Sequence, residues 1–507
     1  MSLRSRVAAS VPLDQLFRSP GDRWAALGER FALVARVLDV AHSGGRPDHD
    51  DVVAMHDRFR APDPDEVWLA LAVLQAELPE LEDVVRQVRR IRLDGPEVVL
   101  QDLVLRAGLR RLRRRLPEPR VEVVTDEVLV DLEHTSRTSL ATGIQRVARE
   151  TARRWARDHD VVLVGWEGQR ALRRLDRGES ARALHGTEAP SGERGTADLV
   201  VPWGATYLLP ELAPERDRTS RLAALARHAR TRTGVIGFDC VPISSAETTD
   251  AGVSESFANN LVAVRDFTTV AAISEAAAIE YRGWRHMLSA IGRSGPTIDP
   301  VVLPVEPVDA SEEGLVWARD ELRTGTLPVV LCVGTHEPRK NHLAVLHACE
   351  LLWRDGVRFS LAFIGGHAWN SRAFDQTLSS LRAQGRPVQN FSSVTDDQLW
   401  AAYRASRCVV FPSLNEGFGL PIAEALACGT PIVTSDFGSM AQIASAGGAE
   451  LVDPRDDASI RDGLRRVLVD EDHYQELRKA AAARPRRTWD EYARDTWQHL
   501  AQSEKTP

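Results

Sequence analysis

CVVFPSLNEGFGLPIAEALACGTPIVTSDFGSM, residues 408–440, is the stretch on which the reading of this chain turns. It opens with a fully apolar strand that ends at Pro412, followed by a loop carrying Glu416. Gly417-Phe418-Gly419 then leads into a helix over LPIAEALAC, with Gly429 where that helix needs its C′ glycine. Glycines at such a turn let backbone approach a ligand, and the N–H groups at the helix start favour a diphosphate. Glu424 is the odd residue of the helix. Its neighbours are apolar on every face, so its carboxylate is expected to be buried and to need partners, which the hydroxyls of a ribose would supply. The ordinary alternative makes Glu416 a loop acid and puts Glu424 on a solvent strip. Two acids at this spacing around a Gly-x-Gly turn, directly after a buried strand, favour the ligand.

The same texture extends outward. LPVVLCVG, FSLAFIGG and TPIVTS are further strands separated by amphipathic helices, one of which begins with the capping-box pair Thr395 and Gln398. Further upstream, VLVDL (128–132), VVLVGW (161–166), DLVVPW (198–203), GVIGF (234–238) and FTTVAAIS (267–274) alternate with helices in the same way. Each run spells a doubly wound parallel sheet. PTIDPVVLPVEPVDASEE, rich in proline and acids, is expected to link them. Residues 1–120 have helical periodicity, as in Val67, Leu71, Val73 and Leu74, punctuated by turn stretches. The expected class is α/β: a helical N-terminal extension over 1–120, then Rossmann-like domains over 121–304 and 305–485. Two such domains facing one another make a cleft at the carboxyl ends of their strands.

Glu416-GFGLPIA-Glu424 resembles the Glu-x7-Glu signature of retaining GT-B glycosyltransferases, family 4 in particular, of the polysaccharide-building kind. GTPIVTSDFGS (429–439) and VGTHEPRKNH (333–342) are similar to that family as well. The resemblance implies a nucleotide-sugar site in the C-terminal half. Glu416 would contact the donor sugar, Glu424 the ribose, and Arg339 and Lys340 the diphosphate. Gly334, Gly417, Phe418, Gly419 and Leu420 would line the donor. The chemistry is coherent: a strand delivers Gly334, a short loop presents two adjacent cations, and such cations would neutralise a departing diphosphate. A solvated basic turn is the alternative. Several relatives carry an arginine where this chain has Thr335, so the second cation is expected from Arg339 or elsewhere.

The middle portion resembles the family more weakly. DLEHTSRTSLATGIQRVARE is similar to a TGIQRV stretch in a subset of those enzymes, which sets Gly143 at a strand-to-helix turn facing the donor. An ordinary turn is the alternative. GFDCVPIS resembles a segment usually HDxxP; Phe238 replaces the histidine, and Asp239 keeps its place on the acceptor side. Ser274 reads as an N-cap. TWDEYARDTWQHL resembles a closing helix, within 486–507, that returns onto the first Rossmann-like domain.

The expected activity is transfer of a hexosyl unit from a nucleotide-sugar to a glycan or lipid-linked glycan, with retention, in cell-envelope polysaccharide assembly. The alternatives are a nucleotide-sugar epimerase of the same fold and a non-catalytic nucleotide-sugar-binding scaffold. A net charge of −8 argues against a nucleic-acid partner. The five cysteines form no CxxC pair and read as free thiols. Asp48-His49-Asp50 and Asp63-Pro64-Asp65 spell a metal-binding DxD, but no strand leads into either, so no metal and no cofactor is expected. Ile422 interrupts any GxGxxG, and no P-loop is present. Without an apolar leader or a run of roughly twenty apolar residues, the chain is expected to be soluble and cytoplasmic. LVLRAGLRRLRRRLPEP sets Leu105, Leu109, Leu112 and Leu116 on one helix face among arginines. That helix either packs on a neighbouring domain or, over 103–116, touches the inner membrane surface peripherally.

Overall fold

Two separate sheets organise the chain. The computed structural model describes residues 11–19, 22–40, 45–114, 118–139, 142–187, 198–322, 327–369 and 371–502. The first sheet has β1 (Val121–Val124), β2 (Val128–Asp131), β3 (Val161–Glu167), β4 (Ala171–Arg174), β5 (Leu199–Pro202), β6 (Thr206–Leu209), β7 (Arg232–Gly237), β8 (Thr269–Ala272) and β9 (Thr297–Pro300). Their order is β1-β5-β4-β3-β2-β6-β7-β8-β9, and β4 alone runs antiparallel to its neighbours. The second sheet has β10 (Val329–Val333), β11 (Ser360–Ile364), β12 (Val388–Phe391), β13 (Cys408–Phe411), β14 (Ile432–Ser435) and β15 (Ala449–Val452). It is parallel throughout, in the order β12-β11-β10-β13-β14-β15. β10, β11, β13 and β14 are buried along their whole length, as expected of strands covered by helices on both faces.

In both sheets the chain reverses its direction of strand addition at one point, between β2 and β6 in the first and between β10 and β13 in the second. Crevices at these reversals, outside the carboxyl ends of the strands, are where doubly wound sheets bind ligands. The loops after β2, β10 and β13 are those that carry Gly143, Lys340 and Glu416.

The sequence left β1, β4, β6, β9, β12 and β15 unread. Each has four residues with a polar or charged side chain among them, which breaks the apolar run that marks strands such as β10 and β13. β9 corrects the linker: Thr297–Pro300 pairs with β8, and Ser311 caps the helix Glu312–Glu321, which packs on the helix Asp396–Ala405 of the second sheet. Residues 301–310 make the first crossing between the two, and residues 483–488 make the return. The helix Trp489–Trp497 lies on the first domain, where Trp155 Nε1 donates to Ala493 O (2.9 Å) and the Trp155 and Trp497 rings meet at 5.8 Å.

The described part of residues 1–120 forms the helices Leu13–Arg18, Asp22–Val37, His49–Phe59, Pro64–Gln75, Leu81–Asp94 and Pro96–Arg114. Their apolar faces, with Phe31, Trp68 and Leu100, share one core with the first sheet. Charged contacts pin the edge: Arg30 to Glu118, Asp65 to His228 and Asp63 to Arg230. The two DxD stretches are thereby explained, since Asp48 and Asp63 are N-caps of the helices that follow them. Leu103, Val104, Leu105 and Ala107 are buried, so the basic helix is a packing helix over this span. Its Leu112 and Leu116 side chains lie outside the described residues. Among the described residues no helix is long and apolar enough to cross a membrane.

Glycine fixes how the loops after β10 and β11 meet. A Cβ on Gly365 would stand 1.9 Å from the carbonyl oxygen of Gly334, and that neighbour is backbone. Gly365→Ala is therefore expected to cost at least about 1–3 kcal/mol in urea denaturation, the usual penalty of overpacking. Gly366→Ala, whose Cβ would meet only Ser392 O at 3.8 Å, is expected to be nearly neutral. Equal melts for the two variants would contradict this loop geometry.

Candidate functional site

The chain closes from the carboxyl ends of β10 and β13 onto one carboxylate. Glu416, buried at 9% exposure, accepts from Lys340 Nζ at 2.6 Å and pairs with Arg339 Nη1 at 2.7 Å. Ser413 Oγ donates to the same carboxylate at 2.7 Å. Arg339 also donates to Glu337 Oε1 (2.6 Å) and to Asn415 O (2.8 Å), while Leu414 N donates to Arg339 O (2.8 Å). The alternatives of a solvated basic turn and a free loop acid are both corrected. These charges are buried and mutually paired. Burial alone would raise the Glu416 carboxyl, but the charges of Lys340 and then Arg339 outweigh it and hold it at about 2.

Glu424 is buried too, as its apolar helix implied. Its partners, however, are already protein groups: Tyr403 OH donates to Oε2 at 2.9 Å, and Arg146 Nη1 donates to Oε1 at 3.1 Å. A ribose at this carboxylate would share it with them. Neither partner was singled out in the sequence. Arg146 stands within the quoted TGIQRV, and its place three residues into a helix that starts at the cleft was the available signal.

The glycine turn also has a use in packing. A Cβ on Gly417 would lie 2.4 Å from Asp239 Oδ2, so Gly417 is small because the first domain presses against it. Ser274, besides capping its helix, donates to Gly417 O at 2.6 Å, a domain contact beyond the N-cap role expected. Asn415 donates to Ser245 Oγ (3.0 Å), and Gln442 Oε1 accepts from Ala276 N (3.2 Å). Gly419, at φ 101°, opens the helix Leu420–Ala427. Gly143 starts the helix Gly143–Asp158 across from it, where a Cβ would be 3.7 Å from Leu420 Cδ1. Two helix starts thus converge at the glycine turn, an arrangement that favours an anion between them.

Gly334, at φ 145°, follows β10 and has the Lys340 stem against it. Phe418 is buried among apolar residues and faces a separate cavity of about 350 Å³, which Leu303, Val305, Ile443 and Arg484 also line. None of Arg339, Lys340, Glu416 or Glu424 lines that cavity. Phe238, in place of the family's histidine, is a core residue. Asp239 follows it at the end of β7, accepts from Val241 N (3.1 Å) and faces the donor loop. The structure therefore brings together Arg339, Lys340, Glu416, Gly417 and Asp239 in one cluster. Glu424, Leu420 and Gly143 form a second group one helix turn away.

Asp239 carries a pH signature. Burial first, then Glu280 and Glu416, raise its carboxyl to about 6 against the pull of Arg339. A folded-state value above the unfolded one means the folded protein binds more protons between about pH 4 and 6, so stability falls as pH rises through that window. Asp239→Asn is expected to remove this slope and to raise stability at pH 7 by about 2–3 kcal/mol, measured by denaturant titration from pH 4 to 8. A variant less stable than wild type at pH 7 would contradict the assignment.

Comparison with known proteins fits this geometry. Residues 317–484 match the family described as glycosyl transferases group 1. The serotype-specific mannosyltransferase WbdA of Escherichia coli is 25% identical over 338 residues, covering 63% of this chain and 40% of that protein. The O-antigen chain mannosyltransferase B of Escherichia coli is 34% identical over 151 residues, 30% of this chain and 39% of that protein. The chain thus spans about two fifths of the curated relatives it matches. Among solved structures, Anabaena Alr3699/HepE in complex with UDP and glucose has a TM-score of 0.52 at 15% identity, over 75% of this chain and 100% of that one. WaaG, a glycosyltransferase involved in lipopolysaccharide biosynthesis, has a TM-score of 0.50 at 15% identity, over 74% and 100%. At that identity the likeness is one of fold, and the fold is GT-B.

Proposed function

We propose that this chain, whose residues 317–484 form a group 1 glycosyl transferase domain, moves a hexosyl unit from a nucleotide-sugar to a glycan or lipid-linked glycan in cell-envelope polysaccharide assembly. The observation that carries the reading is the convergence of Arg339, Lys340 and Glu416 at the reversal point of the second sheet. Two relatives named as mannosyltransferases and a fold neighbour holding UDP and glucose support a hexosyl donor. We further propose transfer with retention, which rests on the resemblance of Glu416-GFGLPIA-Glu424 to the signature of retaining GT-B glycosyltransferases.

In this mechanism the bond from the anomeric carbon to the nucleotide breaks, an acceptor hydroxyl forms the new bond to that carbon and passes its proton to the departing diphosphate, on which negative charge has grown. Arg339 and Lys340, held in place by Glu416 before the donor arrives, stabilise that charge without reorganising. Glu416 then turns its free lone pairs to the sugar hydroxyls. Glu424 anchors the ribose beside Tyr403, and Gly334 and the start of the helix at Leu420 wall the donor, whereas Phe418, which faces the separate cavity, does not. Asp239, on the opposite face of Gly417, lies toward the acceptor. Leu103, Val104, Leu105 and Ala107 are taken up by packing, so these four apolar side chains do not contribute to a membrane contact.

Lys340→Ala is expected to lower kcat by about 10²–10³, with a smaller effect on donor KM, because a fixed cation acts most on the transition state. Steady-state release of nucleoside diphosphate in the presence of acceptor measures it, at a temperature where a thermal melt shows the variant fully folded. Unchanged kcat and KM would remove the lysine from the reaction.

The same two cations are expected to suffice for the diphosphate. Omitting magnesium and manganese should leave turnover unchanged, and an absolute requirement for either ion would overturn that part of the mechanism.

A further inference from the structure

Behind the donor loop lies a group of side chains that glycosyl transfer leaves unused. His336 leaves β10 three residues ahead of Arg339 and is buried at 3% exposure, yet neither ring nitrogen has a hydrogen-bond partner. Its immediate surroundings are aromatic, with the Phe374 ring centroid at 4.4 Å and that of His342 at 5.3 Å. A polar ring in such a place is costly unless something takes its lone pair. His367, after β11, is 5.7 Å away ring to ring, and its Nδ1 is 3.7 Å from Asp375 Oδ1. One ligating atom from each of His336, His367 and Asp375 lies within 4.8 Å of the others.

We propose that His336, His367 and Asp375 form a zinc site that clamps the loop after β10 to the loop after β11. The chemistry of the three donors selects the ion. Two imidazoles and one carboxylate, with a fourth position open, suit zinc, whereas magnesium and calcium prefer all-oxygen shells. The frame is already set: His336 N donates to Gly366 O at 3.0 Å, and Gly365 has no room for a Cβ against Gly334. Asp375 is oriented from behind by Ser371 Oγ at 2.9 Å. His367 is exposed, and a rotation of its side chain would bring the donors to the roughly 2.0–2.1 Å that zinc–nitrogen bonds require. The ion would brace the turn that presents Arg339 and Lys340 from the side away from Glu416. It would not touch the diphosphate, so this proposal and the metal-independence of transfer stand or fall separately.

The test uses the full chain, stripped with a chelator, dialysed and titrated with zinc chloride in a calorimeter. One saturable site per chain is expected, with no heat from magnesium or calcium chloride. X-ray absorption should find nitrogen and oxygen neighbours only. His367→Ala and Asp375→Asn, both at accessible positions, should each weaken zinc binding at least about tenfold. Without zinc both variants should melt as wild type does, and zinc should raise the melting temperature of wild type alone. Absence of saturable binding by correctly folded wild type would overturn the site. So would a sulfur shell, or affinity unchanged in both variants, because zinc would then sit elsewhere, as on Cys428.

Discussion

The buried carboxylate of Glu416 is the constraint on which the rest of the site depends. Arg339 and Lys340 are adjacent in sequence and carry like charges into a space mostly closed to water, where each would repel the other. Glu416, reaching across from the next strand of the sheet, and Glu337 beside it balance them two against two. Removing one member of such a buried group leaves an uncompensated charge, which is far more costly than the net worth of the pair. The cations are therefore fixed before any ligand arrives, and fixed charge is what a developing diphosphate needs.

The same loop is also where the domains meet. Gly417 receives Asp239 on one side and Ser274 on the other, and Asn415 reaches the serines after β7. One helix turn further on, Arg146 of the first domain takes one oxygen of Glu424. The donor loop thus cannot move without disturbing contacts from the first domain.

How much of this was legible in the sequence follows from distance along the chain. β13, the glycine turn and the buried helix with its acid could be read because apolar runs and glycines are local signals. The burial of Glu424 followed from its neighbours alone. Its partners did not: Arg146 is 278 residues away, and Lys340 is 76 from Glu416. Nothing local in Gly417 distinguishes a glycine that admits a ligand from one that admits Asp239. The strands that escaped notice each carry a polar or charged side chain, and β9 was also hidden by the prolines around it. His336 was passed over as part of a basic loop, since its isolation from partners exists only once Phe374 and Phe363 close around it.

The central claim is that the crevice between β10 and β13 is a nucleotide-sugar site, and equilibrium titration of the unmodified chain tests it most directly. A panel of nucleotide-sugars differing in base and sugar, titrated calorimetrically, is expected to yield saturable one-to-one binding for at least one member, competed by its own nucleoside diphosphate. Folded protein that binds no member of the panel, or binds one without competition from the nucleoside diphosphate, would contradict the account.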